Sequence, residues 1–252
     1  MHNESVLSEY PLKAVFWDFD GTMADTRRRN LSVNRRIVEE VTEQPWEGIS
    51  ALTSVEAYDA AWNRVSNWQE LYTEAFGLDD EQLRKAAQRW APYQLDDHTE
   101  VPLFDGIGEV LDQLRDLPQA VVSQNERAII AQILAANGAD HYFTAIVGYA
   151  EVPLNRQKPA PDGLFRAIEI LGVEEPASAL FIGDHETDMI CAASANRDLV
   201  ALGHELRFRS VAANFLVEDA GSRWAASPDH QVNRPSELGK LIADLRVHLP
   251  NG

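Results

Sequence analysis

The sequence is poor in several things. A single cysteine, Cys191, excludes an internal disulfide. No apolar run approaches the ~20 residues of a membrane-spanning helix. The opening MHNESVLSEYPLK lacks the basic start and apolar centre of a secretory signal. Positive charge is scarce: 22 Lys and Arg stand against 40 Asp and Glu, for a net charge of -18. That sign disfavours nucleic acid and anionic membrane surfaces as partners. These absences lead us to expect a cytoplasmic protein, monomer or homodimer, with no nucleic-acid or membrane partner. Only four residues are lysine, so a lysine beside chemistry-bearing residues stands out.

With 252 residues, 45% of them hydrophobic, the chain has material for a large domain and a smaller one. Short apolar runs at 14–17, 119–123, 145–148, 179–183 and 199–203 read as buried parallel strands. Helical spacing lies between most of them. Ile107, Val110, Leu111 and Leu114 follow it behind Asp105, an expected N-cap. Ile130, Ile133 and Leu134 follow it before Gly138, and Leu164, Phe165, Ile168 and Leu171 before Gly172. Alternating strands and helices predict an α/β fold: a Rossmann-like parallel sheet with helices on both faces.

Residues 27–98 break the alternation and read as helical throughout. Thr53 with Glu56, and Asp79 with Gln82, fit capping boxes. Tyr58, Ala61, Trp62, Val65, Trp68, Tyr72 and Phe76 share one side of an expected long helix. The expected division is an α/β core of residues 1–26 and 99–252 with an inserted all-helical domain at 27–98. Residues 204–230 carry no readable period.

Polar residues collect where the strands end. AVFW stops at Asp18 and Asp20, and Gly21 marks a sharp turn. Ser123, Gln124 and Asn125 follow the second run, and Asp184 and Asp188 follow ALFIG. Lys158 lies between the third strand and its helix. In an open α/β sheet, ligands bind outside the carboxyl ends of the strands, so these side chains are expected on one rim. Like charges 4 Å apart repel by roughly 4 kcal/mol at an effective dielectric of 20, so three clustered carboxylates call for a divalent cation. All-oxygen ligands point to Mg²⁺. A lysine and a hydroxyl beside it suit a second anion, and phosphate fits best. A calcium loop starting at Asp18 is excluded: Met23 and Arg29 stand where glycine and glutamate are needed.

DFDGT at 18–22, Ser123 after a strand, Lys158 before Pro159 and GDHETD at 183–188 resemble the four ordered motifs of the haloacid dehalogenase superfamily. The resemblance spans residues 12 to about 203. The helical insertion is similar to the cap of its phosphoglycolate-phosphatase-like and β-phosphoglucomutase-like branch. The resemblance implies Asp18 as nucleophile, Asp20 as general acid/base, and Ser123 and Lys158 as phosphate holders. It implies Asp18, Asp184 and the Asp20 carbonyl as Mg²⁺ ligands, with Asp188 acting through water or by holding Lys158. Gly21 and Asn125 are candidate substrate contacts, Asn125 having a second reading as a helix N-cap. The dehalogenases of the superfamily lack the second aspartate, so Asp20 favours phosphoryl chemistry. The implied activity is a Mg²⁺-dependent phosphatase acting on a small phosphorylated metabolite through an aspartyl-phosphate. The alternatives are a β-phosphoglucomutase-type phosphomutase or a catalytically silent binding module.

Other residues have plainer readings. His185 is expected in a loop behind the metal pocket, Cys191 in the core, and the tryptophans at 46, 62, 68 and 90 in packing. Arg27, Arg28, Arg29, Arg35 and Arg36 crowd one helix start, against the helix dipole. They read either as a reach toward a second anionic group of the substrate or as a surface face paired with Glu39, Glu40 and Glu43.

Overall fold

The computed structural model describes residues 10–62, 64–65 and 67–247. The stretch 1–9, most of the segment read above for a leader, lies outside them. The chain forms two compact units, one of residues 1–24 and 102–252, the other of residues 25–101.

The first unit is built on a six-stranded sheet: β1 (Leu12–Trp17), β2 (Gln119–Val122), β3 (Ala145–Val147), β4 (Ala177–Gly183), β5 (Leu206–Ala213) and β6 (His230–Val232). Its order is β3-β2-β1-β4-β5-β6 and every pairing is parallel. The chain runs outward from β1 to β3, then returns to β4 on the other side of β1. The strand order therefore reverses between β1 and β4, where such sheets bind ligands. Ala14–Trp17 and all of β4 are buried, as strands covered on both faces must be. Phe16, Phe181, Phe208, Leu164 and Cys191 share one core.

Two strand readings need correction. The run 199–203 is not a strand but the end of helix α7 (Glu186–Ala201), closed by Gly203 at φ 79°. Leu199 is buried there while Val200 and Leu202 are exposed; a short apolar run cannot by itself be told from a helix end. The strand beyond β4 is β5, inside the stretch that carried no readable period. Arg207 and Arg209 interrupt its apolar run, yet Leu206 and Phe208 point into the core and Phe208 meets Phe16 edge to face at 5.3 Å.

Helices α4 (Ile107–Gln113), α5 (Arg127–Ala136) and α6 (Asp162–Leu171) lie where the spacing places them. Gly138 and Gly172 take positive φ at the expected stops of α5 and α6. Asp105 does not cap α4; Gly106, at φ 96°, holds that position. A final helix, α8 (Pro235–Val247), ends the described residues.

The second unit contains α1 (Arg27–Thr42), α2 (Val55–Trp62) and α3 (Asp80–Asp96). The Asp79–Gln82 capping box is present. Thr53 caps nothing: its hydroxyl donates to the Ser50 carbonyl, and Ser54 accepts from the Ala57 amide instead. The expected long helix is broken: α2 ends at Trp62, and Trp68–Glu70 runs into a π turn over Leu71–Ala75. Its apolar face survives the break. Tyr58, Tyr72 and Phe76 are buried in one cluster, with Trp46, Trp62, Trp68 and Trp90 packed against it.

Candidate active site

The first unit's parallel sheet delivers four loops to one rim. Asp18 and Asp20 follow β1, Ser123 follows β2, and Asp184 follows β4 at the start of α7. Lys158 arrives from the loop ahead of α6. Its Nζ donates to Asp18 Oδ1 at 2.5 Å and to Asp188 Oδ1 at 2.7 Å. Oxygens of Asp18, Asp184 and Asp188 lie within 4.8 Å of one another. The Thr22 hydroxyl sits 3.1 Å from Asp184 Oδ1 and 3.5 Å from Asp18 Oδ2.

Two glycines make this approach possible. Gly21 has φ 80°, and a Cβ there would lie 2.1 Å from Asp184 Oδ2. Its amide donates to the Ala24 carbonyl at 3.0 Å. At Gly183 a Cβ would lie 2.3 Å from Asp188 Oδ2. Side chains at either position would occupy the space of the carboxylates themselves.

The electrostatics are unbalanced. Three carboxylates crowd around one ammonium; Asp18, Asp188 and Lys158 are screened from water and Asp184 is half-buried. Burial pushes the Asp18 carboxyl up; Lys158 pulls against it and Asp188 adds to it. Asp184 is pushed well above the usual carboxylate range by burial, then by Asp18 and Asp188. Lys158 is held charged: burial disfavours its ammonium, but Asp18 and Asp188 prevail. Buried surplus charge is costly unless paired. The all-oxygen donor set and its excess of negative charge fit a hard divalent cation such as Mg²⁺.

The Ser123 amide donates to the Val147 carbonyl at 3.0 Å, and its Oγ accepts the Asn125 amide at 3.2 Å. Ser123 and Lys158 line one small pocket with Gln124, Gly148 and Gln157. Asn125 Nδ2 donates to both Asp20 oxygens, at 3.2 and 3.1 Å. The N-cap reading of Asn125 fails, because Glu126 occupies that position. His185 is the N-cap of α7: its Nδ1 accepts the Thr187 amide, and Asp188 Oδ2 accepts the His185 amide at 3.2 Å. Burial first, then Lys158, lowers the His185 pKa. Cys191 is buried and its thiol pKa is pushed up to about 12 by burial, consistent with a packing role.

Sequence reasoning placed Thr22 in a motif and Gln124 at a strand end but gave neither of them, nor Gln157, a role. The Gln124 amide donates to the Lys158 carbonyl at 3.2 Å, and that of Gln157 to the Tyr149 carbonyl at 2.8 Å. These bonds tie the lysine loop to the ends of β2 and β3. Nothing in the composition or spacing of those residues signals such partners.

A family model for haloacid dehalogenase-like hydrolases matches residues 15–202. The chain belongs to this family. Among curated relatives, the phosphoglycolate phosphatase of Mannheimia succiniciproducens is 26% identical over 216 residues, covering 84% of this chain and 92% of that protein. The phosphoglycolate phosphatase of Haemophilus influenzae strain 86-028NP is 27% identical over 223 residues, with the same coverage. The solved structure of a haloacid dehalogenase-like family hydrolase from Streptococcus pneumoniae superposes with a TM-score of 0.68 at 17% identity, covering 92% of this chain and 98% of that one. CbbY from Rhodobacter sphaeroides, solved in complex with phosphate, gives 0.60 at 19% identity, covering 90% and 96%. At these identities the structures establish a shared fold. Among the described residues no helix is long and apolar enough to cross a membrane.

Proposed function

We propose that this hydrolase is a Mg²⁺-dependent phosphatase that cleaves a small phosphate monoester through an aspartyl-phosphate. The observation that carries the reading is the contact of one buried lysine with Asp18 and Asp188, with an oxygen of Asp184 within 4.8 Å of theirs. Asp18 and Asp184, with the Asp20 carbonyl, would hold the metal, and Asp188 would hold Lys158. Bound Mg²⁺ would offset the carboxylates' charge and draw electron density from a phosphoryl oxygen. Lys158 and the Ser123 hydroxyl hold the remaining phosphate oxygens. An oxygen of Asp18 attacks phosphorus as the ester P–O bond breaks, and Asp20 gives its proton to the departing alcohol. Asp20 then takes a proton from water as that water attacks phosphorus. Inorganic phosphate leaves and the Asp18 carboxylate is restored.

The relatives' names make phosphoglycolate, a phosphate ester bearing a carboxylate, the first substrate to try. Phosphate release from 2-phosphoglycolate and from aryl phosphates should require Mg²⁺ and stop reversibly on chelation. Asp18→Asn should lower turnover by about 10⁴-fold or more and leave the circular dichroism spectrum unchanged. Near-normal turnover of Asp18→Asn would overturn the mechanism.

A further inference from the structure

Asp20 is gripped by a side chain that is itself fixed on several sides. Asn125 is buried and sets its amide nitrogen against the Asp20 carboxylate, within hydrogen-bond reach of both oxygens. Its Oδ1 accepts the Glu126 amide at 2.8 Å, which decides which way the side-chain amide faces. Its backbone amide is bound to Ser123 Oγ, and its carbonyl accepts the Tyr149 amide at 2.8 Å. Gly148 closes in from behind: a Cβ there would lie 2.6 Å from the Asn125 carbonyl oxygen and 2.7 Å from the Arg127 nitrogen. The loop after β2 therefore has little freedom around Asn125.

We infer that Asn125 is a positioning residue for Asp20, setting the plane of its carboxylate, and not a contact for the substrate. The inference rests on the reading of Asp20 as acid and base. A general acid works only within hydrogen-bond reach of the proton's destination, and a carboxylate turns freely about two bonds unless something holds both oxygens. A misplacement of about 1 Å can cost on the order of 10²-fold in rate. The Asn125 amide nitrogen faces Asp20 and its oxygen accepts the Glu126 amide, so in this arrangement the side chain is turned toward the acid/base and not presented as a free group.

The test uses the full chain with Mg²⁺ and an aryl phosphate series, from 4-nitrophenyl phosphate to phenyl phosphate, whose leaving group needs the proton more. Asn125→Ala should lower kcat/KM for phenyl phosphate by about 10- to 100-fold. For 4-nitrophenyl phosphate the loss should stay within about threefold, as should the change in the inhibition constant of inorganic phosphate. Asn125→Asp, which keeps the shape and turns the donor into an acceptor, should lose at least as much. In an Asp20→Asn background, Asn125→Ala should cost nothing further, because a residue that acts through another has no separate effect once that partner is gone. A phosphate inhibition constant raised more than about tenfold would instead make Asn125 a substrate contact. A loss equal across leaving groups, or additive in the double variant, would make it structural. Either result overturns the inference alone. If Asp20→Asn itself shows no dependence on the leaving group, or if the wild-type protein cleaves none of these esters or 2-phosphoglycolate, the reading of Asp20 falls and this inference falls with it.

Discussion

Both units of the chain bury charge, on opposite terms. In the helical unit the charged side chains find local partners. Arg27 lies between Asp25, at 2.7 Å, and Asp59, at 3.0 Å. Arg29 donates to the Thr99 carbonyl. Arg35 donates to the carbonyls of Leu52 and Thr53 and lies over the Trp46 ring; Arg36 pairs with Asp96 and lies over Tyr93. Burial raises the Asp97 pKa, but hydrogen bonds from Thr99 and Ser32 prevail and hold it below its ordinary value. On the rim of the sheet, three carboxylates share Lys158. Charge that folding balances is architecture. Charge that folding leaves in surplus is where a bound cation would restore the balance.

The sharpest way to break this contrast is Lys158→Ala, which leaves the rim with no cation. Without Mg²⁺ it should cost about 3–5 kcal/mol, the usual penalty for stripping one partner from a buried ion pair. Urea unfolding should show the loss, and added Mg²⁺ should recover part of it. A loss under about 1 kcal/mol would mean the rim tolerates its surplus charge.

Gly183→Ala comes next. Its methyl group would meet Asp188 at the distance already given, and overpacking of this kind costs about 1–3 kcal/mol. The variant should also show a weaker thermal response to Mg²⁺, since Asp188 must move and would shift the Lys158 ammonium that it shares with Asp18. Retention of both stability and response would show that the β4–α7 turn relaxes at little cost.

Asp97→Asn tests the balanced side. Asp97 accepts from Ser32 Oγ at 2.7 Å and from the Thr99 amide at 2.8 Å. Weakening these charge-assisted bonds should cost about 1–2 kcal/mol at pH 7. A folded pKa below the unfolded ~3.9 makes this stabilisation fully present above about pH 4. The stabilisation is lost as pH falls through the depressed folded value, where the urea midpoints of the two proteins should converge. A difference that widens on acidification would reverse the sign and refute the assignment.

Asp184→Asn should do the opposite of Asp97→Asn. Its ionised carboxylate is disfavoured in the folded protein, so neutralising it without Mg²⁺ should raise Tm by about 2–4 °C, the equivalent of about 1 kcal/mol at this size. Mg²⁺ should raise the wild-type Tm and leave the variant's unchanged. A fall in Tm without metal would show that Asp184 is already compensated by the protein.

The smallest effect belongs to Arg28, which is exposed. Arg28→Glu should change stability by less than about 0.5 kcal/mol and alter KM equally for 2-phosphoglycolate and 4-nitrophenyl phosphate. A selective rise for the doubly anionic ester would turn this arginine into a specificity residue.

The rim was legible because its parts follow a rule of position. Apolar runs short enough to be strands end in Asp18, Ser123 and Asp184, and a parallel sheet sends all such ends the same way. β5 was not legible because its burial alternates with arginines at 207 and 209, and β6 because three residues are too few to show a period. The arginine cluster misled for a related reason. Its carbonyl partners leave no trace in a sequence, and its hydrogen bonds go elsewhere than to the glutamates next to it in the chain: Glu40 bonds to Arg89 and Tyr93 and Arg36 to Asp96, while Arg36 reaches Glu40 only through its charge.

By itself the sequence determined which polar residues stand at the strand ends, and that they would share one sheet edge. Strand ends and turn glycines are local properties, set by side-chain size, polarity and backbone freedom. Only the tertiary structure decided which of those residues touch. Lys158 reaches Asp18 across 140 residues and Asp188 across 30; Asn125 reaches Asp20 across 105. Such pairings depend on strand order and loop path. These are fixed by burial of the whole sheet, and no local pattern encodes them.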